Sequence, residues 1–108
     1  MNGKLRVLRK QLMTHKAIIR MSSHTKGRMD KRGYTKSDIV VCLMSGQVTE
    51  MGYGYSHRLK KMTLNLVIEG RDSDHNPMVT IVGLDGETEY TIVTVHPPID
   101  RTRFKNCI

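Results

Sequence analysis

Acidic residues are scarce in this sequence. Ten Asp and Glu stand against eighteen Lys and Arg, a formal net charge of +8 and a pI near 9.8. On a small body that imbalance attracts polyanions, nucleic acid first among them. Cysteine is scarcer still. Cys42 and Cys107 are the only two and have no C-x-x-C spacing, which argues against a disulfide framework or a cysteine zinc site and fits a reducing cytosol. Cys42 lies in an apolar run, which predicts a buried thiol rather than a reactive one. Long hydrophobic runs are missing too. Near the N-terminus only Ala17-Ile18-Ile19 is apolar, too short for a signal segment or a membrane span. The expectation is a cytoplasmic protein with no membrane partner. Neither G-x-x-x-x-G-K nor G-x-G-x-x-G occurs, and no serine or cysteine stands in an acyl-transfer motif. Asp72, Asp74 and His75 crowd into "RDSDHNP", where turn chemistry accounts for them, so no metal and no cofactor is expected.

What is present points to one folded domain. Hydrophobic residues make up 38% of 108 and charged residues 26%, enough for a single modest core. Residues 4 to about 20 read as a helix with Leu5, Leu8 and Leu12 at i, i+3, i+7 and Ile18 and Ile19 extending the stripe. It is either a basic arm for nucleic acid or a helix that packs its leucines and exposes its charges. Ser22 or Ser23 caps a second helix, which Gly33 ends. Thr35 caps a third with Asp38 in capping-box position, and Ile39, Val40, Leu43 and Met44 form its expected buried stripe before Gly46.

After Gly46 the hydrophobic period changes to two. Strands are expected over 47–53, 59–69, 78–83 and 88–96, separated by a turn-rich 70–77 and an Asp-Gly hairpin at "LDGE", and stopped by Pro97-Pro98. The predicted fold is α+β: N-terminal helices packed on one face of a four-stranded antiparallel sheet. Its parts are a basic N-terminal helix or extension (1–21), a single domain (22–100) and a basic C-terminal tail (101–108).

The stretch "SSHTKGRMDKRGYTKSD" carries the chemistry. On a helix turning roughly 100° per residue, Arg28 lies about 40° and Arg32 about 80° around from His24, with Lys31 on the same side. Histidine exchanges a proton near neutral pH, and arginine holds phosphate oxygens while staying charged. RNA cleavage without a metal needs those two kinds of group. A solvated basic helix with a structural histidine explains the same spacing.

The strands add further candidates. Tyr90, Ile92, Thr94 and His96 alternate with Val93 and Val95. If the valines face the helices, Thr94 and His96 line an open face with Arg58, Lys60 and Arg71, and substrate RNA can lie there. Tyr53 and Tyr55, set between glycines beside basic residues, are candidates for stacking on bases. A glycine-rich connection between strands explains them equally well. His15 and His57 have no motif partner.

The pattern H-x-x-x-R-M-x-x-R-G-Y-T-x-x-D-I, residues 24–39, followed by L-M-S-G-Q-V, is similar to that of a small bacterial and phage family of unknown function. The closing "TIVTVHPP", residues 91–98, resembles its last strand. That family is grouped with BrnT-type and RelE-like toxins of the barnase/EndoU/colicin/RelE ribonuclease-like fold. The resemblance covers roughly residues 22–98 and implies a toxin-like endoribonuclease acting on RNA. Within it His24, Arg28 and Arg32 match the helical motif, and Thr94 and His96 the closing strand. With catalysis assigned to His24, Arg28, Arg32 and His96, substrate contacts fall to Arg58, Lys60, Arg71, Tyr53, Tyr55 and Thr94. An acidic antitoxin protein is an expected partner, and an open edge strand or the first helix offers a route to a homodimer. The alternative is a regulator that binds nucleic acid or protein without catalysis.

Overall fold

Local signals set the helix ends. A computed structural model describes residues 2–98. Helix α1 spans Asn2–Met13, α2 Ser23–Arg32 and α3 Lys36–Ser45. The Ser22 hydroxyl accepts from the Thr25 amide and caps α2, and Gly33 closes that helix at φ 75°, a conformation that suits glycine. Thr35 and Asp38 form the reciprocal capping box of α3. At its other end α3 has no basic residue in the last turn. Arg9 of α1 serves there instead, donating through Nε to the Leu43 carbonyl at 2.7 Å and through a second nitrogen to the Gly46 carbonyl. Carbonyls orphaned at a helix C-terminus are thereby satisfied by a cation that also suits the helix dipole.

The sheet has five strands: β1 Ile18–Met21, β2 Gln47–Ser56, β3 Lys61–Arg71, β4 Pro77–Leu84 and β5 Glu89–His96, in the order β1-β5-β4-β3-β2. The expectation of four antiparallel strands is corrected here. The sheet is mixed, because β1 pairs parallel with β5, Ile18 opposite Glu89 through Met21 opposite Ile92. Residues 18–21 therefore do not continue the first helix. The helix stops at Met13, the chain reverses through His15 at φ 59°, and the β-branched Ile18-Ile19 pair joins the sheet edge.

All three helices cover one face. Leu5 and Leu8 from α1, Met29 from α2, and Ile39, Cys42 and Leu43 from α3 meet Leu66, Ile68, Met78, Val82, Tyr90, Ile92 and Val95 from the sheet. So α1 is a packed helix whose leucines reach the core, not a loose arm. In α3 the stripe differs from expectation: Cys42 is buried, while Val40 and Met44 are exposed. Its backbone comes so close to β3 that a Cβ on Gly70 would lie 2.6 Å from the Cys42 carbonyl. The opposite, helix-free face carries a smaller apolar cluster of Val67, Val79 and Ile81.

A bulge decides which residues of β5 face which way. Ile81 pairs with Thr94 but Val82 pairs with Ile92, leaving Val93 as an extra residue. Tyr90, Ile92 and Val95 all enter the helix-side core, while Thr94 and His96 pair with Ile81 and Val79 of the other face. The expected strict alternation would have put Tyr90 and Ile92 with Thr94 and His96. The bulge separates them, and it alone lets Thr94 and His96 look away from the helices.

Candidate functional site: a cationic helix beside an open strand edge

Helix α2 lies along the edge of β5 where β1 ends. Beyond Ile92, β1 supplies no further ladder bonds. Side chains of α2 take over: Thr25 Oγ1 lies 3.1 Å from both the Ile92 and Val93 carbonyl oxygens, and Arg32 Nη1 donates to the Val95 carbonyl at 2.7 Å. The backbone polar groups that the bulge and the short β1 leave open are thus hydrogen-bonded.

Helix geometry explains which α2 residues do this and which do not. Taking His24 as zero, the buried Thr25 and Met29 point to roughly 100° and 140°, and Arg32 to roughly 80°, at the margin of the buried face. His24, Arg28 and Lys31 fall at roughly 0°, 40° and −20°, facing outward. All three are exposed and line one shallow hollow with Ser23, Gly27 and Arg32. Gly27 keeps it open, since a Cβ there would meet nothing within 4 Å. Among the described residues neither Arg28 nor Lys31 forms an ion pair. The hollow therefore presents unneutralised positive charge next to an imidazole, a setting for a phosphodiester.

The other expected site residues do not gather there. His96 lies on β5, does not line the hollow, and its Nδ1 is 2.8 Å from the Pro97 carbonyl oxygen. A carbonyl only accepts, so Nδ1 donates this hydrogen bond. Thr94 is half-buried on the helix-free face. Arg71 and the pair Arg58 and Lys60 sit at opposite ends of the long strand β3. Arg71 Nη1 donates to the His75 carbonyl, and Lys60, at φ 55°, belongs to the turn before β3. They cannot share one phosphate with each other. Tyr53 is exposed on the edge strand β2. Asp72 closes its own turn by accepting from the Asp74 and Asn76 amides through Oδ1, and no cluster of three metal-ligating side chains occurs among the described residues.

A second concavity escaped the reading of the sequence. On the helix-free face, next to Ser22, a cleft of about 340 Å³ is lined by Tyr55, His57, Arg58, Asn65, Asp85 and Val93, among others. Tyr55 and His57 meet edge to face, ring centroids 5.0 Å apart. Arg58 pairs with Asp85 at 3.0 Å, and Asp85 also accepts from the Thr91 hydroxyl. Only the Tyr55 and Arg58 signals were visible beforehand. Asn65 and Asp85 belong to generic strand and turn patterns with no motif to mark them.

The fold and hollow define a small α+β domain that exposes a cationic helix. The chain belongs to a domain family of unknown function, DUF4258, whose pattern matches residues 21–97. The matched segment runs from the last residue of β1 to the residue after β5 and contains the whole of α2. Neither a curated protein nor a solved structure is significantly similar to the chain. No described helix is long and apolar enough to cross a membrane.

Proposed function

We propose that this protein is a toxin-like endoribonuclease that cleaves RNA without a metal, with α2 as its working surface. The observation that carries the reading is the shared, exposed placement of His24, Arg28 and Lys31 around one hollow, without a carboxylate ion pair among the described residues. Arg28 and Lys31 hold the phosphate and stabilise the charge that develops on it. His24 exchanges the proton of the attacking 2′-hydroxyl or of the departing 5′-oxygen. Arg32, already bonded to the Val95 carbonyl, fixes the helix against β5 and adds its remaining N–H groups to the rim. The net charge of +8 supports RNA as the substrate, and an acidic antitoxin as the protein that covers the same surface. The resemblance of the helical motif to a family grouped with RelE-like and BrnT-type toxins supports the same assignment.

The test is cleavage of single-stranded and ribosome-bound RNA by the purified protein in EDTA. Wild type is expected to leave 2′,3′-cyclic phosphate and 5′-hydroxyl ends. His24→Ala is expected to abolish cleavage while its circular dichroism and thermal melt match wild type. Intact RNA that nevertheless shifts in a gel, with a steep salt dependence, would make the protein a non-catalytic nucleic-acid binder. Undiminished cleavage by His24→Ala would remove the histidine from the mechanism.

A further inference from the structure

Ser22 and Ser23 divide two surfaces of different character. Ser23 opens the cationic hollow, and Ser22 borders the cleft on the helix-free face. The cleft's cations are already engaged, Arg58 by Asp85 at 3.0 Å and Arg20 by Glu89 at 2.9 Å. It is therefore close to neutral, and its lining surface is mostly apolar, poor for a phosphate and suited to a planar group with a few hydrogen-bonding atoms at its edge. Its size, about 340 Å³, is at the small end of ligand sites.

The cleft floor is built around Asn65. Its directly opposed neighbours on both sides are glycines, Gly52 on β2 and Gly83 on β4, so no side chain stands beside it in that row of the sheet. A Cβ on Gly83 would lie 3.1 Å from Asn65 Oδ1, and one on Gly54 would lie 2.5 Å from Nδ2. The carboxamide thus occupies space that only glycines leave open, and among the described residues it donates and accepts no hydrogen bond. Tyr55 and His57 border the cleft where the β2–β3 hairpin turns.

We infer that this cleft seats a single unstacked nucleobase, read by the carboxamide of Asn65, while the neighbouring hollow on α2 holds the phosphate. The inference rests on RNA being the ligand of α2 and adds the base-recognising half of that site. An unpaired base offers a donor and an acceptor side by side, the complement of a carboxamide.

The experiment uses the four nucleosides, which carry no phosphate, and inorganic phosphate as separate probes of the isotopically labelled full chain, followed by amide NMR shifts. Nucleosides are expected to give saturable shifts at Gly52, Gly54, Asn65 and Gly83. Inorganic phosphate is expected to shift Gly27 and Lys31 instead. Asn65→Ala should weaken nucleoside binding roughly tenfold, leaving the phosphate response unchanged. Asn65→Asp, which replaces a donor by an acceptor, should reorder the four nucleosides. Gly83→Ala gives a second variant should changes at Asn65 disturb the sheet: its Cβ would crowd Asn65 Oδ1 at 3.1 Å, and it should lose the same shifts. Nucleosides that leave the cleft amides unmoved, or that bind both variants as they bind wild type, overturn the inference. If nucleosides saturate the cleft but RNA is never cut, only the ribonuclease reading fails. If RNA is cut and the cleft stays silent, only the base site fails.

Discussion

Thr25 and Val93 are joined by a hydrogen bond of 3.1 Å from the threonine hydroxyl to the carbonyl of the bulge residue. Thr25 is 1% exposed, and the same hydroxyl stands 3.1 Å from the Ile92 carbonyl. Thr25 therefore ties the bulge in β5 to the cationic helix, beside the bond from Arg32 to the Val95 carbonyl. Thr25→Val keeps the shape and removes the donor. It is expected to cost about 1–3 kcal/mol, because buried carbonyls lose their partner. Urea unfolding measures it, and a midpoint equal to wild type would show that the bond carries no stability.

Arg28 and Lys31 are expected to act on RNA binding alone. Each is exposed and unpaired among the described residues, so Arg28→Ala and Lys31→Ala should leave thermal stability within about 0.5 kcal/mol of wild type. Each should also lower the salt slope of RNA affinity by about 1. Arg32→Ala differs in kind. It removes the bond to the Val95 carbonyl and should lower both stability and affinity. Titrating RNA at several salt concentrations, beside thermal melts, separates the two patterns.

Asp38 links the start of α3 to the loop after β3. Burial alone would raise its pKa, but the hydrogen bonds from the Ser73 and Thr35 amides outweigh it and hold the carboxyl below its usual value. A depressed folded pKa contributes stability that is present above the unfolded pKa, near 4, and is lost as pH falls through the lower folded value. Asp38→Asn should therefore be less stable than wild type at neutral pH, with the gap narrowing below about pH 4. Urea midpoints of both proteins between pH 2 and 7 provide the check.

Cys42 should be inert in the folded state. Burial pushes its thiol up to about 11, with Thr80 donating to the sulfur at 3.4 Å. Since thiolate is the reactive form, iodoacetamide at pH 8 is expected to spare Cys42 until denaturant is added. Peptide mapping by mass spectrometry reads the site directly, and rapid native labelling of Cys42 would contradict its burial.

Gly70 is there for space rather than for conformational freedom. A Cβ would lie 2.6 Å from the Cys42 carbonyl and 2.9 Å from Gly46 Cα, both backbone atoms that cannot swing aside. Gly70→Ala is expected to destabilise by more than about 1 kcal/mol as α3 is pushed off β3. Gly27→Ala, with open space around it in α2, should be neutral or stabilising by up to about 1 kcal/mol. Comparing the two thermal melts tests whether contact or glycine itself sets the outcome.

The sequence alone determined the helix limits around the candidate hollow, though His96, Thr94, Arg58, Lys60 and Arg71, expected beside it, lie elsewhere. Ser22, Gly33, Thr35 and Asp38 act on amides or carbonyls a few residues away, so their meaning is contained in a short window. The shared face of His24, Arg28 and Lys31 follows from helix periodicity in the same way. Alternation likewise placed the later strands. Tertiary structure decided the rest. Whether Ile18–Met21 is helix or strand depends on β5, which the chain reaches only after every other element. The bulge at Val93, the diversion of Arg32 to a backbone carbonyl, and the glycine-flanked Asn65 are all settled by the register of remote strands. Capping is a local hydrogen-bond problem, whereas pairing and packing are solved between segments whose proximity no short window encodes.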